Sequence, residues 1–245
     1  MKKLATVFFA LLPSKLAHLF LKMMGHQISW KSKIGISIIY VDSLKLEANS
    51  RIGHFNFIKI NNVYLSENAM IKMLNFFKGP FDLKLFEDAI IGKQNRFQRG
   101  KSSVSYGVSE LILGRGTGIT SGNYLDLTQS ILFGEHSQVA GIGTQFWTHG
   151  YMHANEGIER IRVDGEIVVG DNVYIGTRCV FNPGVKVVNA VNIGGNSVIS
   201  KDLTEPGMYV NQSLRYIKTD IEKTKLKLTR VTGENLIEEV YTKGK

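Results

Sequence analysis

The sequence predicts an all-β fold, a left-handed parallel β-helix of hexapeptide repeats with a short N-terminal helix and a C-terminal helical tail. Two ladders carry this. Aliphatic or aromatic residues stand six apart at Val169, Ile175, Phe181, Val187, Ile193 and Ile199, and a second ladder two residues ahead runs Ile167, Val173, Cys179, Val185 and Val191. Gly170, Gly176, Asn182 and Gly194 follow main-ladder positions and are types that accept turn conformations. No helix has a period of six, so each hexad is one short strand and one turn, and three strands close a triangular coil.

The same step recurs upstream at Ile28, Ile34, Tyr40, Leu46, Ile52 and Ile58, at Leu85, Ile91 and Phe97, and at Leu113, Ile119, Leu125 and Ile131. Gly35, Gly53, Gly92, Gly114 and Gly134 mark turns. The expected prism spans residues 28–217. Residues 72–84, with Phe76, Phe77, Gly79 and Pro80, read as an irregular corner or short loop. Residues 141–165, with Trp147, His149, Tyr151, His153 and Asn155, show no sustained period. A long loop on a rigid repeat scaffold is where function usually sits.

At 245 residues, 43% hydrophobic and 21% charged, the chain has the balance of one soluble globular domain with short appendages, which excludes disorder and collagen. Cys179 is the only cysteine, so no internal disulfide forms and a reducing cytoplasm is the natural compartment. It also falls on a ladder position, as a small buried filler.

The net charge of +9 is concentrated at the N-terminus. Lys2, Lys3, Lys15, Lys22, Lys31 and Lys33 precede the first carboxylate, Asp42. Between them lie Leu4, Val7, Phe8, Leu11, Leu12, Leu16, Leu19, Phe20 and Met23, but Pro13, Lys15, His18 and Lys22 keep every apolar run too short to span a bilayer. No small-x-small cleavage site follows before Lys15, which argues against a signal peptide. Residues 1–27 are expected to form a basic amphipathic helix, either resting on an anionic membrane surface or packing on the body or a neighbouring subunit. Residues 28–217 form the β-helix domain, with loop 141–165. Residues 218–245 form a helical tail, with Leu226, Leu228, Leu236, Ile237 and Val240 among Lys and Glu. No nucleic-acid-binding motif accompanies the basic charge, so no nucleic-acid partner is expected.

The stretch from Val169 to Gly176, then Asn182-Pro-Gly-Val185, then Ile193 to Asp202, resembles the closing coils of the hexapeptide-repeat acyltransferases, particularly the sugar O-acetyltransferases. The match is strong over those coils and weaker, at the level of the repeat, over most of the chain. Thr148-His149 stands where the family carries a Thr-His dipeptide. The resemblance implies a homotrimer, with acetyl-coenzyme A lying along the cleft between two prisms and no metal. This sequence departs from the family at Gly150, where His-Pro is usual, and at Val210-Asn-Gln-Ser213, where Gly-Asn-Pro-Ala is usual.

Acetyl transfer to a hydroxyl needs a base, and imidazole titrates in a suitable range, which selects His149 and holds His153 in reserve. Its second nitrogen needs a partner, for which Asp126 and Glu135 are candidates. An oxyanion needs donors, for which Gly141, Gly143 and Gly150 are candidates. For the carbohydrate acceptor, alignment with the family points to Asn123 and Asp126, with Trp147, Tyr151 and His153 beside them. Gly176 and Thr177 lie one coil before Gly194 and Gly195, leaving a bare edge for the pantetheine arm, and Lys201 and Arg215 are the partners for coenzyme A phosphates. The expected function is O-acetylation of a sugar hydroxyl in assembly of a bacterial surface polysaccharide, in the cytoplasm or at the inner face of the membrane. Three alternatives stand beside it. They are N-acetylation of a nucleotide-linked amino sugar, a zinc enzyme like the γ-type carbonic anhydrases using His136, His149 and His153, and a non-catalytic scaffold.

Overall fold

Each step of the closing ladder lands on the next wall of a prism. Val169 and Val187 lie on the first wall, Ile175 and Ile193 on the second, Phe181 and Ile199 on the third, and none is more than 4% exposed. The computed structural model describes residues 12–101, 105–211, 223, 225–231 and 240–243. In it the walls are three parallel sheets of eight, nine and eight strands, running from Gln27–Ile28, Lys33–Ile34 and Ile38–Tyr40 to Lys186–Val187, Gly207–Tyr209 and Val198–Ile199. Successive coils stay in register, as where Leu85 lies opposite both Leu65 and Leu113. The core is the stack of inward side chains, and its long axis is lined by aromatic pairs, Phe77 on Phe97 at 4.4 Å and Phe146 on Phe181 at 4.5 Å between ring centroids.

One corner is polar and buried. Between the second and third walls, Asn56, Asn75, Asn95 and Asn123 stack in a column, each accepting the next coil's backbone N–H at 2.9–3.0 Å. Thr144 and then Cys179 continue the column, the Cys179 N–H donating to Thr144 Oγ1 at 3.2 Å. Cys179 is fully buried there, and burial raises its thiol pKa, the state of an inert filler.

The structure corrects the repeat in four places. In the first coil Ile39, not Tyr40, points inward, because Ser37 fills the preceding corner and strand alternation then turns residue 39 to the core. Residues 72–84 are not a loop: Phe76–Lys78 and Asp82–Leu85 are strands with Phe77 and Phe81 buried, and the slip is taken up in the Gly79-Pro80 turn. The unforeseen insertion lies between Gln98 and Glu110 on the edge joining the third wall to the first. Arg99 ties it down, donating to the carbonyls of Pro80 at 2.7 Å, Tyr106 at 2.6 Å and Gly107 at 3.0 Å.

The fourth correction concerns the long loop. Gln145–Phe146 is a third-wall strand paired on both sides, and the excursion itself is an antiparallel hairpin of His149–His153 with Arg160–Asp164. Phe146 anchors it because a fully apolar side chain gains more from the core than from solvent.

At the N-terminal end, helix α1 spans Ser14–Met23 and buries Ala17, His18 and Leu21. The expected helix over residues 1–27 thus ends at Met23, and its first eleven residues lie outside the described ones. Among the described residues no helix is long and apolar enough to cross a membrane. The chain divides into two compact units, Met1–Asn211 and Gln212–Lys245. In the second, Lys223 and Lys225 have helical backbone, but Leu228–Val231 and Val240–Lys243 pair antiparallel where a helix was expected. Thr229, Val231, Val240 and Thr242 are β-branched and Tyr241 is aromatic, types that favour pairing over helix.

Candidate functional site

The third-to-first edge gathers the candidate residues. The third-wall strand Tyr124–Asp126 ends there, and one coil later Gln145–Phe146 ends above it, so Trp147, Thr148 and His149 arrive beside Asp126 and Thr128. His149 Nδ1 lies 2.7 Å from Asp126 Oδ2 and 3.1 Å from Thr128 Oγ1. A carboxylate accepts only, so Nδ1 carries the hydrogen and Nε2 is the nitrogen left with a lone pair.

Asp126 is held as firmly as the histidine. Its Oδ2 accepts the Thr148 N–H at 3.0 Å and lies 2.8 Å from the Thr148 hydroxyl, while the Thr128 hydroxyl donates to Oδ1 at 2.9 Å. Its side chain is 5% exposed and that of His149 27%, so the carboxylate is sealed behind an imidazole that reaches solvent. Arg99 lies within reach of its field: burial lowers the guanidinium pKa and the Asp126 charge opposes that shift. Burial, then the charge of Asp126, raises the Tyr124 phenol, which keeps it a neutral group beside the pair.

Aromatic rings wall the imidazole. Trp147 lies edge-on at 6.3 Å and Tyr151 at 5.9 Å, and Tyr124 packs on Trp147 at 4.9 Å. Asp164, across the hairpin from His149, is paired with Arg162 at 2.8 Å, so the imidazole's carboxylate is Asp126.

The other expected residues fall as follows. Asn123 is 2% exposed and its amide belongs to the buried asparagine column, so it does not face an acceptor. Asp126 is likewise buried and partners His149 rather than facing outward. Tyr151 is half exposed beneath Arg160, and His153 is exposed at the outer part of the hairpin. Glu135 pairs with Arg115 at 2.7 Å on the first-to-second edge, where His136 also lies. His136, His149 and His153 are therefore not gathered in one place, and among the described residues no three potential ligands form a metal cluster.

Gly141 and Gly143 lie on the second-to-third edge, away from His149, and the Gly143 N–H is spent on Gly122 O at 3.0 Å, while Gly150 pairs with Val163 in the hairpin ladder, so none of the three stands as a free oxyanion donor. Gly176, Thr177, Gly194 and Gly195 stack on that same second-to-third edge. A Cβ on Gly176 would meet Gly195 N at 2.6 Å, so coil stacking requires glycine there, whereas one on Gly194 would meet nothing nearer than 3.4 Å. One chain thus separates the glycine edge from His149 by the width of a wall. Lys201 is exposed on His149's own edge, two coils on, and Arg215 lies outside the described residues.

Thr128 and Arg99 are the members that sequence reasoning missed. Asp126 and Thr148 are separated by about the length of one coil, so their stacking, and Thr128 with it, was readable from the spacing. Arg99 sits in an insertion whose path no repeat encodes.

No protein-family model matches the chain, and a search of curated proteins finds no match. Solved structures do resemble it. The polySia-specific acetyltransferase NeuO is 17% identical, with 79% of this chain and 85% of that one covered at a TM-score of 0.46. The polysialic acid O-acetyltransferase OatWY is 17% identical, with 82% and 93% covered at 0.35. A mutant of AntD, an N-acyltransferase from Bacillus cereus, in complex with dTDP and coenzyme A, is 14% identical, with 88% and 96% covered at 0.33. At these identities no residue role transfers, and the chemistry of the site rests on the Asp126–His149 pair itself.

Proposed function

We propose that this protein is an acyltransferase that moves an acetyl group from acetyl-coenzyme A to a sugar hydroxyl, with His149 as general base. The observation that carries the reading is the buried carboxylate of Asp126 on His149 Nδ1, which orients Nε2 outward between aromatic rings. Nε2 takes the proton of the hydroxyl as its oxygen bonds to the acetyl carbon, the neighbouring carboxylate stabilises the imidazolium that results, and that proton passes to the sulfur as the C–S bond breaks and the thiol leaves. Trp147 and Tyr151 offer apolar faces to a sugar ring. Asp126 acts through His149 and is a positioning residue.

Acetyl-coenzyme A would supply the activated acyl group. Gly176, Thr177, Gly194 and Gly195 would take its pantetheine arm against bare backbone, and Lys201 a phosphate. Because the glycine edge and His149 occupy different edges of one prism, the two halves of such a site meet when a neighbouring prism brings its edge to His149. That supports the homotrimer implied by the closing coils. A sugar O-acetyltransferase of surface-polysaccharide assembly is the form of the activity we infer.

The test is incubation with acetyl-coenzyme A and a panel of oligosaccharides, following release of the coenzyme A thiol and the product ester by NMR. Ester formation is the expected result. An amide product on an amino sugar would replace the O-acetyl reading, and the absence of any acetyl-coenzyme A binding by calorimetry would overturn it. In the same assay Asp126→Asn lowers kcat by roughly 10²–10⁴-fold while the acceptor KM stays within a few-fold, because the buried carboxylate touches the imidazole and not the acceptor.

A further inference from the structure

At the N-terminal end of the prism, well away from His149, a groove of ≈ 720 Å³ opens between α1 and the second wall. Its lining includes Lys15, Lys31, Lys33, Arg51 and Lys72, with His18 and His54, and among the described residues no Asp or Glu lines it. Lys33 and Arg51 lie directly in register on adjacent parallel strands. Like charges directly opposite on neighbouring strands repel, and an anion between them would relieve that repulsion. The N-terminal end of the described part of this +9 chain thus concentrates cations on one open surface.

A second feature of the same end is apolar. At about 100° per residue, Leu16, Leu19 and Met23 share a stripe of α1 on the side opposite the core-facing Ala17, His18 and Leu21, with Lys15 and Lys22 along one flank. That stripe is exposed by 43%, 46% and 74%. Trp30, a wall of the groove with Lys22 Nζ 4.1 Å from its ring centroid, is 59% exposed. Ile36 and Phe55, joined by backbone hydrogen bonding beside the groove residue His54, are exposed as well.

We propose that this end of the protein docks on an anionic phospholipid surface, with lipid phosphates in the basic groove and the outer stripe of α1, Trp30 and Phe55 entering the headgroup boundary. A basic groove alone would fit any phosphate, and an apolar stripe alone would fit any apolar partner. Cations flanking an outward apolar stripe on one helix are the combination an anionic bilayer satisfies, since its headgroups and acyl boundary are met together. The inference does not rest on the acyl-transfer reading.

The test is sedimentation of the full chain with vesicles of phosphatidylcholine alone or with about a third phosphatidylserine. The protein is expected to co-sediment with the anionic vesicles and not with the neutral ones, less so as salt is raised. Lys31→Glu with Lys33→Glu lowers the partition coefficient by roughly 25-fold or more, taking about fivefold for each lysine charge lost near an anionic surface. Leu16→Asp with Leu19→Asp lowers it tenfold or more at unchanged groove charge, on the order of the transfer cost of two exposed aliphatic side chains. Retained far-ultraviolet circular dichroism keeps misfolding separate from lost binding.

Equal binding to both vesicle types overturns the proposal. So does an intact partition in the leucine variant together with phosphate binding that the lysine variant abolishes, which would assign the groove to free phosphate. A leucine variant that changes oligomeric mass but not partition would assign the stripe to a second copy of the chain.

Discussion

Replacing His149 with alanine lowers acetyl transfer by roughly 10²–10⁴-fold, the contribution of a positioned general base. The fold should survive. The imidazole is 27% exposed, and Asp126 keeps the Thr148 N–H and the Thr128 hydroxyl as partners when it is gone. Thermal unfolding of the variant is therefore expected near that of the parent, while kcat/KM, read from coenzyme A release, collapses. His153→Ala is the internal control. That side chain is exposed on the outer hairpin and should change the rate by no more than a few-fold. Undiminished transfer by the His149 variant, or an equal loss in both, would remove His149 from the mechanism.

The largest effect on stability is expected at Phe146→Ala, at about 3–5 kcal/mol. Phe146 is fully buried, stacked on Phe181 at 4.5 Å and edge-on to Phe133 at 5.4 Å, and its ring occupies the prism axis where no polar group could replace it. In urea the midpoint should fall. Val198→Ala, on the outer face of the same wall and 66% exposed, should stay within about 0.5 kcal/mol of the parent. In a coil stack each turn contacts chiefly its neighbours, so the damage should concentrate around the coil that carries His149. Hydrogen exchange should therefore rise first in Gln145–Phe146 and its paired strands. Uniform acceleration along the whole prism would contradict that.

The two predictions separate what was legible in the chain from what was not. The closing ladder named its wall assignments almost residue by residue, because in a β-helix the neighbours that bury a side chain are set by the coil length, and that length is written in the hexad. The same logic failed at Tyr40, where a filled corner shifted the register by one, and at residues 72–84, where aromatic bulk and a Gly-Pro turn masked a coil that continues. It was blind to the insertion held by Arg99, since insertions interrupt the pattern without replacing it.

At the site, the sequence by itself determined that His149 stands at the break in the repeat and that Asp126 lies in the coils just before it. Only the tertiary structure decided that Asp126 is buried behind the imidazole while Asn123, three residues earlier, is consumed by a corner column. The two side chains differ by which side of a wall they reach, the column within the corner or the edge beneath the hairpin. That depends on how the coil closes, which a six-residue period does not specify at its irregular turns. The same holds for the outward stripe of α1: its composition was apparent, but which side the core would take was settled only when Ala17, His18 and Leu21 packed against the first coil.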